Sequence, residues 1–100
     1  MFINSDLIFI GLITYLIGSI PFGLLVSKFA KQEDPRMVGS KNIGATNLLR
    51  IGGWKLGFLT LILDVTKGFI PIYLINIYNK EEFLGIAILS IILGHLYPIW

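Results

Sequence analysis

No cysteine occurs among the 100 residues, which excludes a disulfide framework and a thiolate metal site and leaves the redox compartment open. Histidine is almost as scarce. His95 is the one imidazole, so a general-base reading has a single histidine candidate, and neither a metal nor an organic cofactor is expected. The opening residues MFINSD carry no lysine or arginine and no small-residue cleavage site follows, so a cleaved signal peptide is not expected. A net charge of +2 is too small to argue for nucleic acid, and the basic residues behind it lie beside apolar runs. Internal repeats and low-complexity tracts are also missing.

What the chain has in quantity is apolar surface. Hydrophobic residues make up 55% of it and the mean hydropathy is +0.81, a membrane composition. Residues 7–27 contain no charged side chain, and at 1.5 Å per residue this run spans roughly 30 Å, the thickness of a hydrocarbon core. The expectation is an all-α, polytopic transmembrane helical bundle, a single membrane domain over residues 1–100 with spans at about 7–27, 56–78 and 83–100. In the first span Gly11, Thr14 and Gly18 form a small-residue stripe that lets another helix approach closely. Pro21 predicts a kink near GSIPFG, with the Ile17 carbonyl satisfied by a neighbour, a water or Ser19.

Residues 28–55 hold six of the eight basic residues, against Glu33 and Asp34 as the only acids. By the positive-inside rule this loop is cytoplasmic and the N-terminus outside. Asp34-Pro35 marks a turn. At the centre of the loop lies GSKNIGATNLLR, Gly39 to Arg50, where Gly39 and Gly44 permit backbone conformations that gather N–H groups into one concavity for phosphate oxygens. Ser40, Asn42, Thr46 and Asn47 add short polar side chains, while Lys41 and Arg50 supply charge. A helix beginning near Asn42 or Thr46 would aim its first amides and its dipole at the anion. Arg50, one turn beyond Thr46, could reach back for a bidentate grip, and Gly52-Gly53 would end the helix. The spacing suits a solvated loop with an ordinary cap equally well, since this is no Walker motif.

The second span contains Asp64 and Lys67, which are costly in lipid unless they pair or face a cavity. Thr60, Asp64, Lys67 and Pro71 share one helical face, with Pro71 as a helix break that frees the Lys67 carbonyl. The spacing of Asp64 and Lys67 permits a mutually compensating pair, either functional, with Lys67 a phosphate-binding candidate, or a purely structural ion pair that fixes helix register. Residues 79–82 read as a short outside turn. In the third span Ala87, Ser90 and Gly94 form a small face, His95 near the inner end reads as a base or as a helix-end residue, and Tyr97 and Trp100 suit an interfacial belt.

GSIPFGLLVSK, GSKNIGATNLLR, LDVTKG and GHLYP, in that order and at these separations, resemble the bacterial membrane glycerol-3-phosphate acyltransferases that use acyl phosphate as donor, the PlsY family. The resemblance implies transfer of a fatty acyl group from acyl phosphate to the 1-hydroxyl of glycerol 3-phosphate, giving lysophosphatidic acid and phosphate. It implies a multi-pass protein of the bacterial inner membrane, with membrane lipid around it and an upstream acyl-phosphate-forming enzyme as a partner. The serine and arginine that the family requires fall on Ser40 and Arg50. Family members continue beyond GHxxP into a Gly-Gly-Lys-Gly loop and a later motif with His and Asn, so this chain reads as the N-terminal portion of such an enzyme. One departure is that the usual GSGN reads GSKN: Lys41 does not readily take positive φ, so either that position does not need it or the loop differs.

An acyl phosphate is already activated, so the protein must hold two anions, align a hydroxyl with a carbonyl and stabilise the oxyanion and leaving phosphate. Either His95 or the departing phosphate can take the proton. The competing reading is a non-catalytic membrane protein or half of an anion transporter. A transporter would place its substrate site near the bilayer midplane, whereas the richest motif here lies in a loop.

Overall fold

A computed structural model describes residues 5–100, so the first four residues of MFINSD, and with them most of the segment read as lying outside, fall beyond the described residues. Every helix and strand assignment within that range is helical: α1 Ser5–Gly18, α2 Phe22–Phe29, α3 Ala45–Gly52, α4 Trp54–Ile77, a 3-10 turn at Glu81–Phe83, and α5 Leu84–Leu96. Ser5–Phe29 and Trp54–Ile77 are long and apolar enough to cross a membrane, near the first two expected spans. The third is shorter than expected. α5 ends at Leu96, ahead of Pro98, and its length of roughly 20 Å falls short of a full hydrocarbon core.

Pro21 breaks the first span instead of merely kinking it. α1 stops at Gly18, and the Ile17 carbonyl is met by the Ile20 amide at 3.1 Å, while Ser19 bonds the Tyr15 carbonyl through both its amide (2.9 Å) and its hydroxyl (2.8 Å). Pro71 has the opposite outcome: α4 runs through it without interruption, so the expected break there does not occur. Thr60, Lys67 and Pro71 lie on the buried side of α4, with Asp64 half-buried.

The chain forms two compact units, one of residues 1–20 with 66–100 and the other of residues 21–65. In the first, the small stripes of α1 and α5 meet. A Cβ at Gly18 would overlap the Ile91 carbonyl, one at Gly94 the Tyr15 carbonyl, and one at Gly11 would press on Ile86 Cγ1 at 3.3 Å. Thr14, Ala87 and Ser90 are buried on these faces, and Thr14 returns its hydroxyl to the Ile10 carbonyl at 2.7 Å. Close backbone approach is what small residues allow between apolar helices, where lipid supplies no hydrophobic drive to associate.

The second unit is built around its helix ends. α2 closes with a Schellman motif: the Lys31 amide bonds the Lys28 carbonyl, the Gln32 amide bonds the Ser27 carbonyl, and Lys31 takes φ +58. The Ser27 hydroxyl donates to the Glu33 carbonyl. The expected turn follows, with Arg36 donating its amide (2.9 Å) and its guanidinium (2.7 Å) to Asp34. Hydrogen bonding by the Arg36 side chain, then by its amide, lowers the Asp34 pKa to about 2. That support is complete above the unperturbed value of 3.8 and fades as pH falls through the folded value, so it is constant near neutrality. Leu48 of α3 is fully buried, and Gly23 of α2 abuts the Ile43 carbonyl.

Gly18→Ala and Gly94→Ala should each lower thermal stability in detergent by about 1–3 kcal/mol, the cost of overpacking a contact that cannot relax. Gly85→Ala in α5, whose Cβ would meet nothing within 4 Å, should be neutral or stabilising.

Candidate anion-binding loop

The loop before α3 has two left-handed residues, Gly39 at φ +59 and Lys41 at φ +63. The GSKN position therefore does need positive φ, and lysine adopts it. Gly44 does not: at φ −77 and ψ 171 it is the extended N-cap of α3, so the helix starts near Thr46 as expected, at Ala45, but with glycine and neither Asn42 nor Thr46 as its cap. Asn42 still contributes, since its side-chain oxygen accepts the Gly44 amide at 3.0 Å in an Asx turn.

These bonds change which amides are free for an anion. Ser40 N–H donates to Asn47 Oδ1 at 3.2 Å, Lys41 N–H to the Val38 carbonyl at 3.0 Å, and Gly44 N–H to Asn42. The concavity expected from Gly39 and Gly44 is closed by its own internal bonds. The open donors lie at the start of α3: the Leu48 amide is the first to bond back, to the Gly44 carbonyl at 3.1 Å, which leaves those of Ala45 and Thr46 ahead of it, while that of Asn47 is buried. They carry the positive end of the helix dipole.

Along α3 and the loop before it the side chains of Ser40, Lys41, Thr46 and Arg50 are exposed and make no hydrogen bond among the described residues. Arg50 stands in the last turn of α3, four residues after Thr46, and α3 closes at Gly53, φ +91, as expected from Gly52-Gly53. Two cations, two hydroxyls and a helix start thus belong to one segment of one unit. Such a group can bind a phosphate or carboxylate; by itself it offers no nucleophile activated by a base.

The remaining candidates belong to the first unit. Lys67 is buried and donates its ammonium to the Ile20 carbonyl at 3.0 Å, at the α1 break. His95 is exposed in the last turn of α5. Among the described residues no cluster of three His, Asp or Glu is placed to hold a metal ion.

Residues 8–100 match the family model described as glycerol-3-phosphate acyltransferase. The chain belongs to that family. It is 45% identical over 95 residues to a glycerol-3-phosphate acyltransferase of Pelagibacter ubique, an alignment covering 95% of this chain and 49% of that protein. A glycerol-3-phosphate acyltransferase of Bartonella henselae is 50% identical over 95 residues, covering 91% of this chain and 45% of the relative. Among solved structures, the glycerol 3-phosphate form of PlsY (YgiH), an integral membrane glycerol 3-phosphate acyltransferase, is similar at a TM-score of 0.83 and 42% identity, over 95% of this chain and 48% of that one. The chain thus spans about half the length of the acyltransferases it matches, and its fold is that of a helical membrane protein.

Two contributors to the loop had no sequence signal. The Pro35 and Val38 carbonyls take part as acceptors for Asn47, and a backbone carbonyl leaves no mark in residue type. The left-handed Lys41 does leave one, since it stands where the GSGN of the resemblance has glycine. Lys41→Gly should raise thermal stability by up to about 1 kcal/mol by relieving the left-handed cost, and Lys41→Val should lower it, because a branched Cβ tolerates that region least.

Proposed function

We propose that the protein transfers a fatty acyl group from acyl phosphate to the 1-hydroxyl of glycerol 3-phosphate, releasing lysophosphatidic acid and inorganic phosphate. The observation that carries this reading is the exposed set of Ser40, Lys41, Thr46 and Arg50 on α3 and the loop before it, in a segment between two membrane-length apolar stretches of an acyltransferase-family chain. Glycerol 3-phosphate enters because the relatives are named for it and the similar structure holds it.

The donor dictates the chemistry. The hydroxyl adds to the acyl carbonyl, the tetrahedral oxyanion collapses, and the carbon–oxygen bond to phosphate breaks. Arg50 and Lys41 neutralise phosphate charge, the Ala45 and Thr46 amides orient it, and Ser40 donates a hydrogen bond at the reacting centre. Gly39, Asn42 and Gly44 shape the loop. Lys67 is a candidate for phosphate binding and His95 for accepting the proton, which the leaving phosphate can also take. The membrane gives the acyl chain an apolar place to lie, and an upstream acyl-phosphate-forming enzyme supplies the donor. The protein is a single multi-pass domain of the bacterial inner membrane, with residues 28–55 on the cytoplasmic side.

In the whole enzyme, Arg50→Lys keeps the charge but loses the planar fork, and should lower kcat/KM by an amount on the order of 2–3 kcal/mol; Ser40→Ala should cost about as much. The assay is phosphate release from acyl phosphate on adding glycerol 3-phosphate, with membrane abundance measured alongside. Normal turnover by a well-folded variant would remove that residue from the active site, and normal turnover by both would remove the loop. For orientation, a cysteine placed at position 33 should resist an impermeant thiol reagent in intact cells and react once the membrane is opened. Labelling from outside would reverse the topology.

A further inference from the structure

Asn47 was a natural candidate for touching substrate, yet its side chain is only 1% exposed, and every polar atom of its carboxamide is occupied within the loop. Nδ2 donates to the carbonyls of Pro35 (2.9 Å), Val38 (3.1 Å) and Asn42 (2.8 Å), while Oδ1 accepts the Ser40 amide at 3.2 Å. A carboxamide has two N–H donors, so one of the three donations is shared and none remains for a ligand. We propose that Asn47 is a positioning residue that registers the Ser40 loop against the helix carrying Arg50. This rests on the reading that Ser40 and Arg50 serve the reaction.

The geometry explains why one side chain can do this. Residues 35–42 contain no helix or strand, so their polar backbone groups have no ladder to fix them. Asn47 gathers four of those groups, spread from Pro35 to Asn42, onto one buried amide. Its own backbone is the third residue of α3, and Arg50 follows three residues later on that helix. The distance between the Ser40 backbone and the helix that bears Arg50 is therefore set by a single rigid group. Gly39 makes the room: a Cβ there would overlap Asn47 Oδ1, independently of its left-handed φ. Asparagine is also the fitting residue type. Aspartate would turn a carboxylate toward three carbonyls, and alanine would leave those carbonyls and the Ser40 amide unmet in a buried place.

The test is a set of double-mutant cycles in the whole enzyme, reading kcat, KM for each substrate and thermal stability. Asn47→Ala should lower kcat on the order of 100-fold, the scale of a small misplacement of reacting groups, and more than it changes KM. Adding Ser40→Ala or Arg50→Lys to Asn47→Ala should then cost at least about ten-fold less than in the parent, because the group removed is already out of register. Leu48→Ala is the comparator. It is equally buried in α3 and makes none of these bonds, so it should lower stability yet combine additively with Ser40→Ala. If Asn47→Ala does not fold, Gly39→Ala reaches the same contact from the loop side and should show the same coupling to Ser40→Ala. Additive cycles, or losses that track only the folded fraction, would overturn the proposal. If Ser40→Ala alone proves active, it is the role of Ser40 that fails. The cycle with Arg50→Lys then decides for Asn47: coupling upholds the positioning role and additivity refutes it.

Discussion

A peptide group taken out of water must find a partner, and in this chain the places where helices break are where that demand is met by side chains. Pro21 ends the first apolar helix; the Ile17 carbonyl it releases is met by the Ile20 amide, the Lys67 ammonium bonds the Ile20 carbonyl, and the Ser19 hydroxyl adds a second bond at Tyr15. Ser27 caps the far side of α2 at Glu33, and Asn47 gathers the irregular stretch before α3. Most of the buried polar side chains are therefore the repair of helix ends, and the fold depends on them. Thr14, Thr60 and Ser90 lie inside helices instead, and the Thr60 hydroxyl is fully buried on α4 with no hydrogen-bond partner among the described residues.

That constraint also shows how far the sequence could be read. The apolar runs, the small-residue stripes of α1 and α5, the Asp34-Pro35 turn and the glycine stop after α3 were legible because each is a property of residue type and spacing. The division of labour among the polar residues was not. Asn47 and Arg50 look alike as donors in a string, but one is buried against four backbone groups and the other is exposed, and that difference arises only when the loop folds back on α3. Glycine was similarly ambiguous. Gly39 and Gly44 share a motif, yet only Gly39 needs its freedom, and the second left-handed position fell on a lysine. Proline misled in both directions, since tertiary context decided that Pro21 would break a helix and Pro71 would not.

The motif then has two layers. An inner one, of Asn47, Asn42 and the Val38 carbonyl, consumes the amides of Ser40, Lys41 and Gly44 and stiffens the loop. An outer one, of exposed hydroxyls and cations with the first amides of α3, faces whatever binds. Under the proposed function, stiffness in the inner layer would let the outer one hold an anion without first being ordered by it, so that binding energy is available for the transition state.

The central claim, that the anion is taken at the start of α3 and not by the amides of the glycine loop, is tested most directly by residue-resolved amide hydrogen exchange on the whole enzyme, with and without glycerol 3-phosphate. The account predicts that Ser40, Lys41 and Gly44 are protected before the ligand is added and change little, while Ala45 and Thr46 exchange freely and become protected on binding. Free exchange at Ser40 and Lys41 that closes on ligand addition, with Ala45 and Thr46 unmoved, would contradict it.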